Sequence, residues 1–124
     1  MTYVDGFVVP VPKKKLPDYL KLARRARKVW MEHGALSYVE AVADDAPVGE
    51  ITSFPRSVKL KPDETVIFSW ITYISRKHRD RVMAKVMKDP RLMAGMDPKT
   101  MPFDAKRMIY GGFKIAVAAE RASQ

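Results

Sequence analysis

The stretch Thr65-Val-Ile-Phe-Ser-Trp-Ile-Thr-Tyr-Ile74 decides the fold. It is β-branched and aromatic almost throughout, a composition that fits a pleated sheet. Successive side chains of a strand point to opposite faces, so Val66, Phe68, Trp70 and Ile74 fall on one side and Ile67, Ile71 and Tyr73 on the other. Both sides are apolar and both must be covered. Helices from the same chain cover one. The other would leave an apolar patch of roughly several hundred Å² in water, which implies a partner surface.

Upstream, Tyr3 to Pro10 is expected to be a first strand built on Val4, Phe7, Val8 and Val9, with Pro10 and Pro12 stopping the pairing. Leu16, Tyr19, Leu20, Ala23, Ala26 and Trp30 then recur at three- and four-residue steps, with Lys21, Arg24, Arg25 and Lys28 opposite, which predicts an amphipathic helix. Pro17 suits its first turn although no side chain is placed to cap it, and His33 followed by Gly34 marks its end. Ala35 to Val42 reads as the second strand. The segment 43–64 is punctuated by Asp44, Asp45, Pro47, Gly49, Pro55 and Pro62, and the alternation of Ser57, Val58, Lys59 and Leu60 predicts a short extra strand there.

Downstream, Ser75 is a candidate N-cap for a second helix in which His78, Val82 and Val86, with Met83 and Met87, face inward until Asp89 and Pro90 end it. A connector rich in Met and Pro, Leu92 to Asp104, leads to a last strand from Arg107 to Val117, interrupted by Gly111 and Gly112. The order βαββαβ is that of a ferredoxin-like α+β fold, with both helices on one face of a four-stranded antiparallel sheet. The bare face makes a homodimer the simplest arrangement, closing two sheets into a dimeric α/β barrel.

Composition bounds the rest. At 124 residues, with 47% hydrophobic and 30% charged side chains, the chain has the size and make-up of one globular domain, expected over residues 1–119 with a disordered tail at 120–124. It has no cysteine, which removes disulfides, thiolate catalysis and sulfur-ligated metals and fits a reducing compartment. No signal peptide or membrane-spanning run is visible, so a cytoplasmic location is expected, with no membrane partner. A net charge of +9 favours contact with something anionic.

Seven stretches carry a family likeness: Tyr3-Val-Asp-Gly-Phe-Val-Val-Pro10, Val29-Trp-Met-Glu-His-Gly-Ala-Leu36, Thr52-Ser-Phe-Pro-Arg56, Phe68-Ser-Trp70, Ser75-Arg-Lys-His-Arg-Asp80, Lys88-Asp-Pro-Arg-Leu92 and Met101-Pro-Phe-Asp-Ala-Lys-Arg-Met108. Through them the chain resembles, from Thr2 to Ala116, the YbaA-like family of uncharacterised bacterial proteins. The resemblance implies a dimeric α/β-barrel fold, whose other members include small cofactor-free monooxygenases, dehydratases and haem-handling enzymes. It supplies no catalytic residues.

His78-Arg79-Asp80 spells the tripeptide of a protein-kinase catalytic loop, but here it opens a helix and position 85 is Lys where Asn is required. The kinase reading is discarded. The chain has two histidines, His33 and His78, on different helices, so a transition-metal site would need carboxylates from elsewhere and none is expected. Haem on His78 is conceivable by analogy with barrel relatives, yet no residue demands it, and no cofactor is expected.

Asp5, Glu40 with Tyr38, Ser69 with Tyr73, and Tyr110 with Lys114 converge on one sheet face if the register allows. A carboxylate in a half-buried strand has a raised pKa and can serve as a base, whereas a hydrogen-bonded dimer interface is the commoner use of such groups. The candidate site is Asp5 as base or acceptor and His78 as proton shuttle or anion contact, with Tyr38, Trp70, Tyr73 and Tyr110 as ligand-binding walls.

The functional expectation is a cofactor-free homodimer that binds a small, anionic organic molecule between sheet and helices. Two alternatives remain. One is a nucleic-acid-associated basic protein using its helical face, where Lys21 to Lys28 and Arg76 to Lys88 make weak nonspecific contacts. The other is a structural or stress-related protein with no ligand. Sheet-mediated RNA binding is disfavoured, because strand three lacks the Gly-aromatic frame of RNA-recognition motifs.

Overall fold

The computed structural model describes residues 2–94, 97 and 99–121. Its elements are β1 (Tyr3–Pro12), α1 (Leu16–Glu32), β2 (Ser37–Val42), α2 (Phe54–Ser57), β3 (Glu64–Tyr73), α3 (Arg76–Val86), α4 (Pro90–Met93) and β4 (Ile109–Lys114). All strand pairs are antiparallel and the sheet order is β2-β3-β1-β4, the ferredoxin-like arrangement expected from the element order.

Local chemistry sets the boundaries. α1 has no side-chain N-cap but carries Pro17 in its first turn. It ends where Gly34 adopts φ 113°, a conformation that suits a residue without Cβ, and the Ala35 amide returns to the Trp30 carbonyl at 3.0 Å. Ser75 caps α3 by accepting from the His78 amide at 3.1 Å, and Asp89 caps α4 by accepting from the Arg91 amide. β1 runs two residues past Pro10. Its ladder with β4 ends at Val8, so beyond that point the strand has a free side, where proline is tolerated.

The extra strand expected at Ser57 to Leu60 is replaced by a helical turn and a loop. Ser53 Oγ accepts the Arg56 amide, Pro55 sits in the first turn, and Lys59 takes a positive φ of 50° that no strand permits. The alternation that looked like a strand instead turns Val58 and Leu60 inward against Val8 and Val66. Of the expected tail at 120–124, residues 122–124 lie outside the described residues.

The two sheet faces have different fates. Odd-numbered residues of β1 and β3, with Tyr38 and Glu40 of β2 and Tyr110 of β4, face the layer formed by α1, α3 and α4. Two core clusters fill that layer: Tyr3, Ala26, Val29, Ile71, Tyr73, Val82, Val86 and Leu92 at one end, and Val9, Val11, Tyr19, Ala23 and Ile67 at the other. On the opposite face α2 and its loop cover only the Val8–Val66 end. The remainder carries Phe54, Phe68 and Trp70, whose rings contact in series at 5.5 and 5.4 Å, with Ile109 and Phe113 on β4 also exposed.

Candidate functional site

The register brings four side chains into one row across the sheet: Glu40 of β2, Ser69 of β3, Phe7 of β1 and Tyr110 of β4 are successive cross-strand neighbours on the helix-facing side. Above this row the helices do not close down. A cleft of about 350 Å³ remains, a volume suited to a small organic molecule. Its floor is Phe7, Val9, Tyr38, Glu40, Ser69 and Ile71. Its roof comes from α1 through Tyr19, Ala23, Ala26 and Trp30, and its far wall from Met83, Met87, Leu92, Phe103 and Met108. Tyr110 sits at the mouth, 72% exposed and stacked on Phe7. Three methionines give that wall an adaptable surface.

Among the described residues that line the cleft, Glu40 is the charged group and none is Lys, Arg or His. Tyr19 donates its hydroxyl to Oε1 at 2.6 Å, with Oε2 at 3.2 Å. Burial raises the Glu40 pKa above the ordinary carboxylate value, and hydrogen bonding from Tyr19 and Ser69 only partly offsets it. Burial and the Glu40 charge likewise push the Tyr19 and Tyr38 phenols upward, so both remain protonated donors. The Tyr38 hydroxyl has no hydrogen-bond partner among the described residues, although its ring lines the cleft beside Trp30 at 5.9 Å. The arrangement can accept and return a proton, or hold a donor group, in mainly apolar surroundings.

The other residues singled out from sequence distribute as follows. Tyr38 and Tyr110 line the cleft. Asp5 lies on the same sheet face one row away, between Ile71 and Gly112, and is engaged: Arg79 donates to it at 2.5 Å while its cation lies over the Tyr3 ring. Burial raises its pKa and Arg79 acts against the rise. Gly112 makes this possible, because a Cβ there would lie 2.9 Å from Arg79 Nη1. Tyr73 is fully buried behind the cleft and accepts from Trp30 Nε1 at 3.2 Å.

His78 is turned to the chain itself. Its Nδ1 takes the Ile74 amide proton at 2.9 Å, which requires that nitrogen to be unprotonated, and its ring meets Tyr73 edge-on. It braces the β3–α3 junction and does not line the cleft. Trp70 is a second correction: strand alternation puts it on the opposite face, beside Phe68, where it cannot wall a pocket shared with Tyr73. For the anionic ligand expected from sequence, the described lining of the cleft offers a carboxyl group and no Lys, Arg or His.

Tyr19, Trp30 and Phe103 were expected only as core or connector residues. Tyr19 is legible as apolar helix spacing, but its hydroxyl partner depends on long-range register.

A family model described as "Protein of unknown function (DUF1428)" matches residues 2–105. The chain belongs to the DUF1428 family. It is 48% identical over 117 residues to "Uncharacterized protein YbaA" of Escherichia coli strain K12, covering 94% of this chain and 98% of that protein, and equally so to the YbaA protein of Shigella flexneri. Solved structures place the fold. A NIPSNAP domain protein from Burkholderia xenovorans aligns with a TM-score of 0.57 at 13% identity, covering 96% of this chain and 99% of that one. A NIPSNAP family protein with unknown function from Agrobacterium tumefaciens aligns at 0.53 and 16% identity, covering 91% and 86%. At such identities the likeness speaks to fold alone, and the chemistry of the DUF1428 cleft has to be argued from its own residues.

Proposed function

We propose that this DUF1428 protein is a homodimer that binds a small, mainly apolar, non-anionic organic molecule in the cleft between its sheet and helices. The observation that carries this is the cleft itself: about 350 Å³ walled by aromatic and methionine side chains, with the Glu40 carboxyl and the Tyr38 phenol, unpartnered among the described residues, as neighbouring polar groups on β2. A ligand with a neutral or positively charged donor satisfies Glu40, and an acceptor satisfies Tyr38.

The homodimer rests on the second sheet face. A chain of net charge +9 repels its own copy wherever charges face each other, and the helical exterior carries Lys21, Arg24, Arg25, Lys28, Lys77 and Arg81. The central part of the open face presents Val4, Val39, Phe68, Trp70, Ile109 and Phe113, all uncharged. Two copies meeting there bury apolar surface and keep their basic helices apart.

Native mass spectrometry of the protein purified from its own host tests both parts. The expected species has twice the 14.1 kDa chain mass plus a small neutral or cationic organic adduct that is lost from a Glu40→Gln, Tyr38→Phe double variant. A monomer, or an adduct that persists in the double variant, overturns the corresponding part.

A further inference from the structure

We propose that the cleft is a cofactor-free proton-transfer site for small enolisable carbonyl compounds, with Glu40 moving the proton and the Tyr38 hydroxyl holding the carbonyl oxygen. This deepens the binding reading above and rests on it. Tyr38 and Glu40 are two residues apart on β2 and face the same way, which separates them by about 6.6 Å along the strand. This backbone spacing sets both side chains on one wall of the cleft, where a single small carbonyl compound can meet the phenol with its oxygen and the carboxylate with the neighbouring carbon.

The groups around Glu40 suit the task. Tyr19 and Ser69 have one hydroxyl proton each to give, so the carboxylate is held in orientation while some of its four lone pairs stay free. From α1 the titratable group facing it is Tyr19, from β2 Tyr38 and from β4 Tyr110. Ser69, Phe7, Phe103 and the methionines bring no charge. A carboxyl raised by burial is a stronger base once ionised than one in water, and it works nearer neutral pH. Tyr38, still protonated, donates its hydrogen bond to the oxygen where charge develops.

The step balances without any further reagent. Glu40 takes the proton from the carbon next to the carbonyl, and the electron pair of that C–H bond becomes a C=C bond. The carbonyl π pair moves onto oxygen, toward Tyr38. Return of the proton to the same carbon regenerates the compound, with solvent hydrogen incorporated if Glu40 exchanges its proton. Return to the far end of a conjugated double bond isomerises it. Nothing is oxidised and nothing leaves.

The experiment uses β-tetralone, an aromatic ketone with acidic α-hydrogens, with the intact protein in deuterium oxide. Proton NMR follows both α-deuteration and binding, the latter by saturation transfer to the ketone. The expected result is binding together with exchange above the buffer rate. Glu40→Gln lowers that excess by about 10²-fold and Tyr38→Phe by a comparable factor, with neither thermal midpoint lowered. The exchange rate of the wild type rises with pH through an ionisation above the ordinary carboxylate range. Tyr19→Phe moves that rise to higher pH, because the Tyr19 hydrogen bond holds the Glu40 pKa down. Binding without exchange beyond that of the Gln variant overturns the proton-transfer inference and leaves the binding reading standing. Neither binding nor exchange overturns the inference and counts against the binding reading as well.

Discussion

Replacing Phe68 by Ser should convert the proposed homodimer to a monomer at micromolar concentration. Phe68 is 43% exposed at the centre of the open sheet face, packed on one side by Phe54 and on the other by Trp70. A phenylalanine offers roughly 200 Å², so about 85 Å² of apolar surface remains for a partner to cover. At about 25 cal/mol per Å² this is worth about 2 kcal/mol in each protomer, and twofold symmetry doubles it to about 4 kcal/mol. Dissociation should therefore become easier by about 10³-fold. The fold should survive, since the ring is not part of either cluster under the helices. Met31 provides the control, being equally exposed at 43% but located on α1. Sedimentation velocity across the micromolar range reads all three proteins. The reasoning is refuted if the parent protein sediments as a monomer, if the Phe68→Ser variant stays dimeric, or if Met31→Ser dissociates the dimer as well.

Other outcomes follow from the same geometry. Arg107 bridges the buried Glu64 and also binds Asp104 and the Val58 and Lys59 carbonyls, so Arg107→Met should cost about 3 kcal/mol in urea unfolding at neutral pH. Because hydrogen bonding from Arg107 holds the Glu64 pKa down, its stabilisation is present above the ordinary value of 4.5 and lost as pH falls through the depressed folded value, so the deficit should shrink in acid. Glu40 runs the other way: its folded pKa is raised, the folded state keeps its proton longer, and stability drops as pH climbs from 4.5 through the raised value. Glu40→Gln should then be more stable than the parent above that window and equal to it below, by about 1.4 kcal/mol per tenfold difference in proton affinity. Lys21, Arg24, Arg25, Lys28, Lys77, Arg81 and Lys88 are exposed, and fluorescence anisotropy should find weak, salt-sensitive binding to nucleic acid; preference for one sequence at physiological salt would favour a nucleic-acid role instead.

Features set by neighbours in sequence were legible. Ser75 as a cap, Gly34 as a helix end and the two-sided apolar strand are local or period-two signals, and they fixed the element order and hence the sheet order. Trp70 shows a signal present but not used: its parity already opposed that of Tyr73, so one pocket could not take both as walls. The Ser57–Leu60 alternation misled because Val58 and Leu60 pack inward from a loop as readily as from a strand. The different surroundings of Asp5 and Glu40 were beyond local reasoning. Both are acidic residues on the helix-facing side, and what separates them is that Arg79, 74 positions from Asp5, reaches one and not the other.

That difference also bears on the role proposed for Glu40. Asp5 is buried with a guanidinium against it and serves to tie α3 to the central strand, as internal charges normally do. Among the described residues Glu40 has only hydroxyl partners, Tyr19 and Ser69, and its ionised form is destabilised by the apolar cleft around it. A glutamine would keep the Tyr19 hydrogen bond and remove that penalty, so packing alone gives no reason for a carboxylate at this position. A reason appears once a molecule occupies the 350 Å³ beside it. A donor or an exchangeable proton brought in by that molecule gives the carboxylate the partner that the protein withholds.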